Sequence, residues 1–281
     1  MADMTSARAE AVKRLTPLPI WRGAPAFSII EDGRTNCNFF VTDDTGRYFA
    51  RFGVDLPHHF IFRDNERLAV LKAAEFGVAP PVLYAADGIV VSAFIDGRGL
   101  VIEDGADKAV LKRIAAVLRR LHDGTPEGIV HEFDLTAILP AYMDMLPAGT
   151  LDADDENRLK RIIASIPRLP PVSLAHSDLI PNNFMDDGER LWVIDWEYAG
   201  RGHPAIDLAM IVSNFDLTEE LARYVIAEHG LCSYDEVRDM TPALIARELL
   251  WTLVQIGRVG LAGDLAEYRE ICLKRLRECP L

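Results

Sequence analysis

Two hydrophobic periods divide the chain. Over residues 26–95 the apolar positions fall in short runs (26–30, 38–42, 48–52, 82–84 and 89–95) rich in Phe, Ile and Val. Asp43-Asp-Thr-Gly46 and Asp87-Gly88 lie between runs, where antiparallel hairpins turn. One helical pattern, 65–76, interrupts the strands, and Gly77 closes it. A short amphipathic helix over 6–15 comes first and stops before Pro17 and Pro19. From Asp107 the period lengthens to that of helices. Residues 108–121 set Val110, Leu111, Ile114, Val117, Leu118 and Leu121 on one broad face. Further helices are expected over 133–145, 155–166, 204–215, 217–229, 234–259 and 265–279, with 234–259 broken near Thr241-Pro242. The pattern predicts an α+β chain of two lobes. Residues 1–96 form an N-terminal antiparallel sheet lobe with one main helix, and residues 97–281 a larger, mostly helical C-terminal lobe.

Composition narrows the class. With 281 residues the chain can bury a sizeable core, and 49% apolar with 26% charged residues is ordinary for a globular protein. Its apolar runs fall short of the ~20 residues of a membrane span. The opening Met-Ala-Asp-Met-Thr-Ser-Ala-Arg lacks the apolar centre of a signal peptide, so a cytoplasmic location is expected. Cys37, Cys232, Cys272 and Cys279 show no C-x-x-C spacing and read as reduced thiols. A net charge of −13 argues against nucleic acid as a partner. It is compatible with a small cationic substrate, and solubility explains it as well. Oligomeric state stays open.

Chemistry concentrates in residues 174–200. His176-x-Asp178-x-x-x-x-Asn183 is followed by the apolar run Leu191-Trp-Val-Ile194, which ends in Asp195. A carboxylate near an amide, with a second carboxylate delivered by a strand, is what metal-assisted phosphoryl transfer needs. Asp178 would orient an attacking hydroxyl, and Asn183 with Asp195 would hold Mg²⁺. Singly, each of these residues is an ordinary turn residue. The ordered set is specific.

Two other features fit the same chemistry. Between the first two strands lies Glu31-Asp-Gly-Arg-Thr-Asn-Cys-Asn38, a loop whose Gly33, Thr35 and Asn38 suit a turn over nucleotide phosphates. Arg51 on the third strand and Glu66 on the helix after it match the cation–carboxylate pair that positions phosphates in kinase folds. Arginine forks to a carboxylate and a phosphate oxygen together, so it can stand in for lysine. Seen alone, this pair would be a surface salt bridge.

These blocks resemble the choline/ethanolamine kinase family, bacterial type, within the aminoglycoside-phosphotransferase and protein-kinase-like group. The likeness runs over most of the chain, through Gly33-Arg-Thr-Asn-Cys-Asn-Phe39, Tyr48-Phe-Ala-Arg-Phe52, Glu66 and Gly77-Val-Ala-Pro-Pro-Val82. It continues in His176-Ser-Asp-Leu-Ile-Pro-Asn-Asn183 and Ile194-Asp-Trp-Glu-Tyr-Ala199, with Asp207 twelve residues past Asp195. The first block departs at Asp32, where the family usually has a further glycine. The resemblance implies a two-lobed kinase-like fold with ATP in the cleft, and adenine against residues 92–95, including Ser92 and Ile95. It implies that Asp178 receives the acceptor's proton, that His176 braces the catalytic loop, and that Asn183 and Asp195 hold Mg²⁺. On the acceptor side it points to Glu197, Trp251 and Tyr268, aromatic groups there attracting a cation by up to ~2 kcal/mol. Glu248 stands where the family often has a second Trp; a carboxylate there either favours an ammonium that donates hydrogen bonds or simply pairs with a nearby Arg.

The expected function is ATP- and Mg²⁺-dependent transfer of phosphate to a small amino alcohol such as choline or ethanolamine. A related kinase acting on an aminoglycoside, thiamine or a sugar alcohol is the alternative. A catalytically silent kinase-like binding protein is a third reading, disfavoured because Asp178, Asn183 and Asp195 are all present. Asp-Phe-Gly and Ala-Pro-Glu segments are missing, which disfavours a protein kinase.

Overall fold

The structure is a computed structural model that describes residues 2–31, 35–261 and 263–280, with the backbone alone for residues 2–5. It opens with helix α1 (Ala2–Leu15). Strands β1 (Ala26–Ile30), β2 (Cys37–Thr42) and β3 (Arg47–Phe52) follow, then helix α2 (Arg63–Glu75) and strands β4 (Val82–Ala86) and β5 (Ile89–Ala93). They form one antiparallel five-stranded sheet in the order β1-β2-β3-β5-β4. Both expected turns are present. Asp43 caps its own turn by accepting the amides of Thr45 and Gly46, and Asp87 and Gly88 both take positive φ.

The two-residue period of the strands sorts the sheet into faces. Ala11 and Leu15 of α1 pack on Cys37, Phe39, Val41, Ala50 and Val91. The opposite face carries Asn38, Arg51 and Val90, paired in register across β2, β3 and β5. That second face borders a cavity rather than a core. Helix α2 turns away from the sheet core: Ala69, Val70 and Ala73 join the large cluster of the helical part.

Beyond β5, short strand β6 (Arg98–Gly99) leads to helices α3 (Lys108–Asp123), α4 (Leu135–Met145) and α5 (Ala153–Ala164). Strands β7 (Ser173–Ala175), β8 (Phe184–Asp186), β9 (Leu191–Val193) and β10 (Gly200–Gly202) pair into two small sheets, β6-β8-β9 and β10-β7. Helices α6 (Pro204–Asn214), α7 (Glu219–His229), α8 (Tyr234–Val259) and α9 (Leu265–Glu278) complete the chain. The architecture is the expected α+β one, an antiparallel sheet ahead of a larger helical part.

One expectation fails: α8 runs unbroken through Pro242. Proline removes a single amide donor and crowds one carbonyl. Here Met240, Ala243, Leu244 and the following turns are buried against α4, α6 and α9, so packing outweighs the lost bond. The four cysteines are free. Among the described residues no helix is long and apolar enough to cross a membrane.

Candidate active site

Two cavities meet beneath the sheet. The larger, about 800 Å³, lies between the polar face of the sheet and the segment 180–196, with Asn38, Arg51, Glu66, Ser92, Ile95 and Asn183 among its lining. The smaller, about 390 Å³, opens toward α8 and α9 and is lined by Asp178, Glu197, Tyr198, Glu248, Trp251 and Tyr268. Asp195 and Ile180 line both. Thr35, expected on the nucleotide side, lines the smaller cavity. Gly33 lies outside the described residues.

Arg51 and Glu66 meet at 3.1 Å, both buried, and Arg51 also holds Asp195 at 2.5 Å. Its Nε donates to Asn38 Oδ1 at 3.3 Å. Burial alone would raise the pKa of Asp195, but Arg51 outweighs it and holds the carboxyl below its ordinary value. Sequence reasoning missed the second cation of this cluster. Arg63, one turn before Glu66 on α2, donates to Glu66 at 2.7 Å and to Glu197 at 3.2 Å. It also bonds the carbonyls of Val54 and Thr35. Its passage needs Gly53, because a Cβ there would lie 2.6 Å from the Arg63 Cζ. Glu197 is nearly saturated. It accepts Thr35 Oγ1 at 2.8 Å and Asn36 Nδ2 at 2.8 Å besides Arg63. Burial, then the neighbouring Asp195, pushes its carboxyl up to about 7.

The loop from His176 to Asn183 is fixed from below. Buried Asp207 accepts the amide of His176 on one carboxylate oxygen and that of Ser177 on the other, each at 2.8 Å. That clamp supports Ser177 at φ 65°, and Asp195 stands at φ 70°, two left-handed non-glycine residues within the segment that carries the candidate chemistry. His176 joins the two segments: its Nε2 donates to the Ile194 carbonyl at 2.9 Å, and its Nδ1 accepts the Asp178 amide at 3.3 Å. Asn183 commits its Nδ2 to the Asp178 carbonyl at 2.8 Å, which assigns its other amide atom as oxygen. An amide oxygen and a carboxylate on one cavity wall are hard donors of the kind Mg²⁺ takes. Among the described residues no cluster of three His, Cys, Asp or Glu could cage a metal, and Mg²⁺ bound with nucleotide phosphates needs none.

Around the smaller cavity, Glu248 is bonded by the Tyr268 hydroxyl and by Arg275, whose other Nη reaches Ser213. Trp251 donates to the Tyr198 hydroxyl at 2.7 Å and stacks on His59 with ring centroids 5.0 Å apart. Arg247 pairs with Asp178 at 3.1 Å. Each of the four carboxylates is therefore matched with an arginine: Asp178 with Arg247, Asp195 with Arg51, Glu197 with Arg63, Glu248 with Arg275. Sequence spacing could have suggested Arg63, three residues from Glu66. Nothing in it signalled Arg275 or Asn36.

The family model for the phosphotransferase enzyme family matches residues 26–240, a span holding both cavities' shared wall. The chain belongs to that family. Among relatives, protein LicA of Haemophilus influenzae is 24% identical over 270 residues, 88% of this chain and 100% of its own. A thiamine kinase of Escherichia coli is 28% identical over 194 residues, 67% of each chain. Of solved structures, a choline/ethanolamine kinase family protein from Mesorhizobium loti superposes with TM-score 0.76 at 24% identity, over 98% of this chain and 93% of that one. LicA in complex with AMP gives 0.74 at 20%, over 96% and 97%. At such identities the superpositions show a shared fold, and family membership makes this chain a small-molecule phosphotransferase.

Proposed function

We propose that the protein moves the γ-phosphoryl group of ATP, with Mg²⁺, onto the hydroxyl of a small amino alcohol such as choline or ethanolamine. The observation that carries this reading is the junction of the two cavities at Asp195, with Asp178 on the acceptor side of it. Residues 1–96 and 97–281 are the two lobes on this reading. The larger cavity takes the nucleotide, its adenine against residues 92–95, including Ser92 and Ile95. Arg51, held by Glu66, bonds the phosphates. Asn183 and Asp195 would hold Mg²⁺, which when bound would neutralise charge developing on the transferred group. Asp178 orients the acceptor hydroxyl and takes its proton as the bond to phosphorus forms. The phosphoryl transition state is loose, so alignment and charge matter more than base strength. Trp251, Tyr198 and Tyr268 offer aromatic surface to an ammonium, with Glu248 beside it. The LicA complex with AMP supports a nucleotide in this fold, and the Mesorhizobium loti protein's family supports the acceptor class.

The thiamine kinase relative supports a second reading, with thiamine as the hydroxylated acceptor. An acceptor panel separates the two. ADP release would be followed with choline, ethanolamine, thiamine and an aminoglycoside, and the acceptors ranked by kcat/KM. Choline or ethanolamine leading by tenfold or more, about 1.4 kcal/mol, upholds the first reading. Thiamine leading by that margin replaces it.

A further inference from the structure

Resting on the reading of Asp178 as the group that orients the acceptor, we propose that Arg247 is a positioning residue for it. Arg247 fixes one oxygen of the Asp178 carboxylate, leaving the other for the acceptor hydroxyl. The Asp178 side chain is 27% exposed and stands at the edge of the smaller cavity. Arg247 Nη1 donates to its Oδ1 at 3.1 Å, and no other side chain among the described residues bonds this carboxylate. An aspartate so placed, on a wet wall and without a partner, would sample several χ1 and χ2 rotamers. Arg247 removes that freedom because it has none itself. It is 8% exposed and rises from the packed helix α8. Its guanidinium lies over the rings of Tyr198 at 4.3 Å and Phe133 at 5.6 Å.

The same contacts tie the carboxylate to the acceptor wall. Trp251 bonds the Tyr198 hydroxyl, the Tyr198 ring carries Arg247, and Arg247 holds Asp178. A cation next to Asp178 also repels an ammonium there. The amino alcohol is thereby oriented with its hydroxyl toward Asp178 and its nitrogen toward Trp251, Tyr268 and Glu248. The cost of pairing Asp178 with a cation, a weaker base, is small where the reaction depends on alignment.

The test is chemical rescue. Arg247→Ala opens space between the smaller cavity and a third, 150 Å³ cavity that Arg247 also lines, where free guanidinium ion can enter. ADP release is measured with choline, with ethanolamine and with water as the acceptor, with added guanidinium chloride or equal potassium chloride. Turnover is expected to fall about 100-fold while the KM for ATP stays within about threefold of wild type. Guanidinium, and not potassium chloride, should restore about a tenth or more of the lost rate, and Arg247→Lys should fall between. A loss under about threefold overturns the proposal. So does a loss matched by weaker ATP binding and unmoved by guanidinium, which marks a purely structural residue. Should the wild-type protein release ADP with water and with neither amino alcohol, the acceptor class is wrong. The role of Arg247 is then read on the hydrolytic rate.

Discussion

The site's two ion-pair systems are built on opposite principles. Where the cavities meet, two arginines and three carboxylates share partners, from Glu66 in the larger cavity to Glu197 in the smaller: Glu66 serves both Arg51 and Arg63, Arg51 serves both Glu66 and Asp195, and Arg63 serves both Glu66 and Glu197. No member can be removed without leaving a buried charge short of a partner. Toward α8 and α9 the ion pairs are separate. Asp178 with Arg247, and Glu248 with Arg275, share no member, and the second pair is 20% and 27% exposed. A shared network makes a fixed platform, whereas separate pairs let one member change while the other stands.

The sharpest way to break the comparison is at Asp178, which lines the smaller cavity and, on the proposed reading, takes the acceptor's proton. Asp178→Asn should lower kcat by ~10³-fold, within the range for a lost general base, and leave nucleotide affinity unchanged. Single-turnover assays check this, and a loss below about tenfold would remove Asp178 from the chemistry. Next comes Arg63. Arg63→Met should destabilise the fold by ~3–5 kcal/mol, because Glu66 and Glu197 stay buried without it. Urea unfolding measures this. A cost under ~1 kcal/mol would show that the networked ions act as separate pairs too. Glu248→Gln touches only the acceptor side. A change of about tenfold in acceptor KM is expected, with KM for ATP unmoved. Equal shifts in both constants would mean the two cavities are not independent.

The smallest effect at neutral pH concerns the support beneath both cavities. Asp207, which clamps the His176 and Ser177 amides, accepts His122 Nε2 at 3.0 Å, and His122 Nδ1 meets His229 Nε2 at 2.8 Å. Burial, then His122 and Arg119, lowers the pKa of His229 to about 3, with Asp207 and Asp123 opposing. The unfolded chain takes up that proton near pH 6.5, and the folded one does so only near 3. Stability from this group is thus full above pH 6.5 and lost as pH falls toward 3, at ~1 kcal/mol per pH unit. Thermal unfolding between pH 7 and 4 should show this slope, and His229→Asn should flatten it. An unchanged slope would assign the acid sensitivity elsewhere.

How far the sequence could be read follows from the range of each interaction. The five strands of the main sheet and their turns were legible because period-two alternation and Asp-Gly turns are local signals; β4 gains Ala85 and Ala86, β5 stops at Ala93 short of Ile95, and the two- and three-residue strands β6, β7, β8 and β10 were too short to carry such a signal. The continuity of α8 was not legible, since Pro242 is a local breaker and the packing that overrides it comes from α4, α6 and α9. Of the site, Asp178, Asn183 and Asp195 stood out through spacing along 18 residues of chain. Arg63 did not, because Arg-x-x-Glu on a helix reads as an exposed pair. Only the approach of Gly53 and Glu197 in space reveals that it is buried. Glu248 was readable as a carboxylate on α8 that an arginine could pair, but the sequence did not single out Arg275, 27 residues further on, as that arginine.

Ile180 and Asp195 line both cavities, so the two spaces meet at shared side chains. For inhibitor design the consequence is that a single molecule can occupy both. An adenosine polyphosphate joined covalently to an amino alcohol would present its second half at a high effective concentration once the first is seated. The length of its phosphate bridge would then act as a ruler, the tightest compound reporting the separation of the two reacting oxygens in the complex.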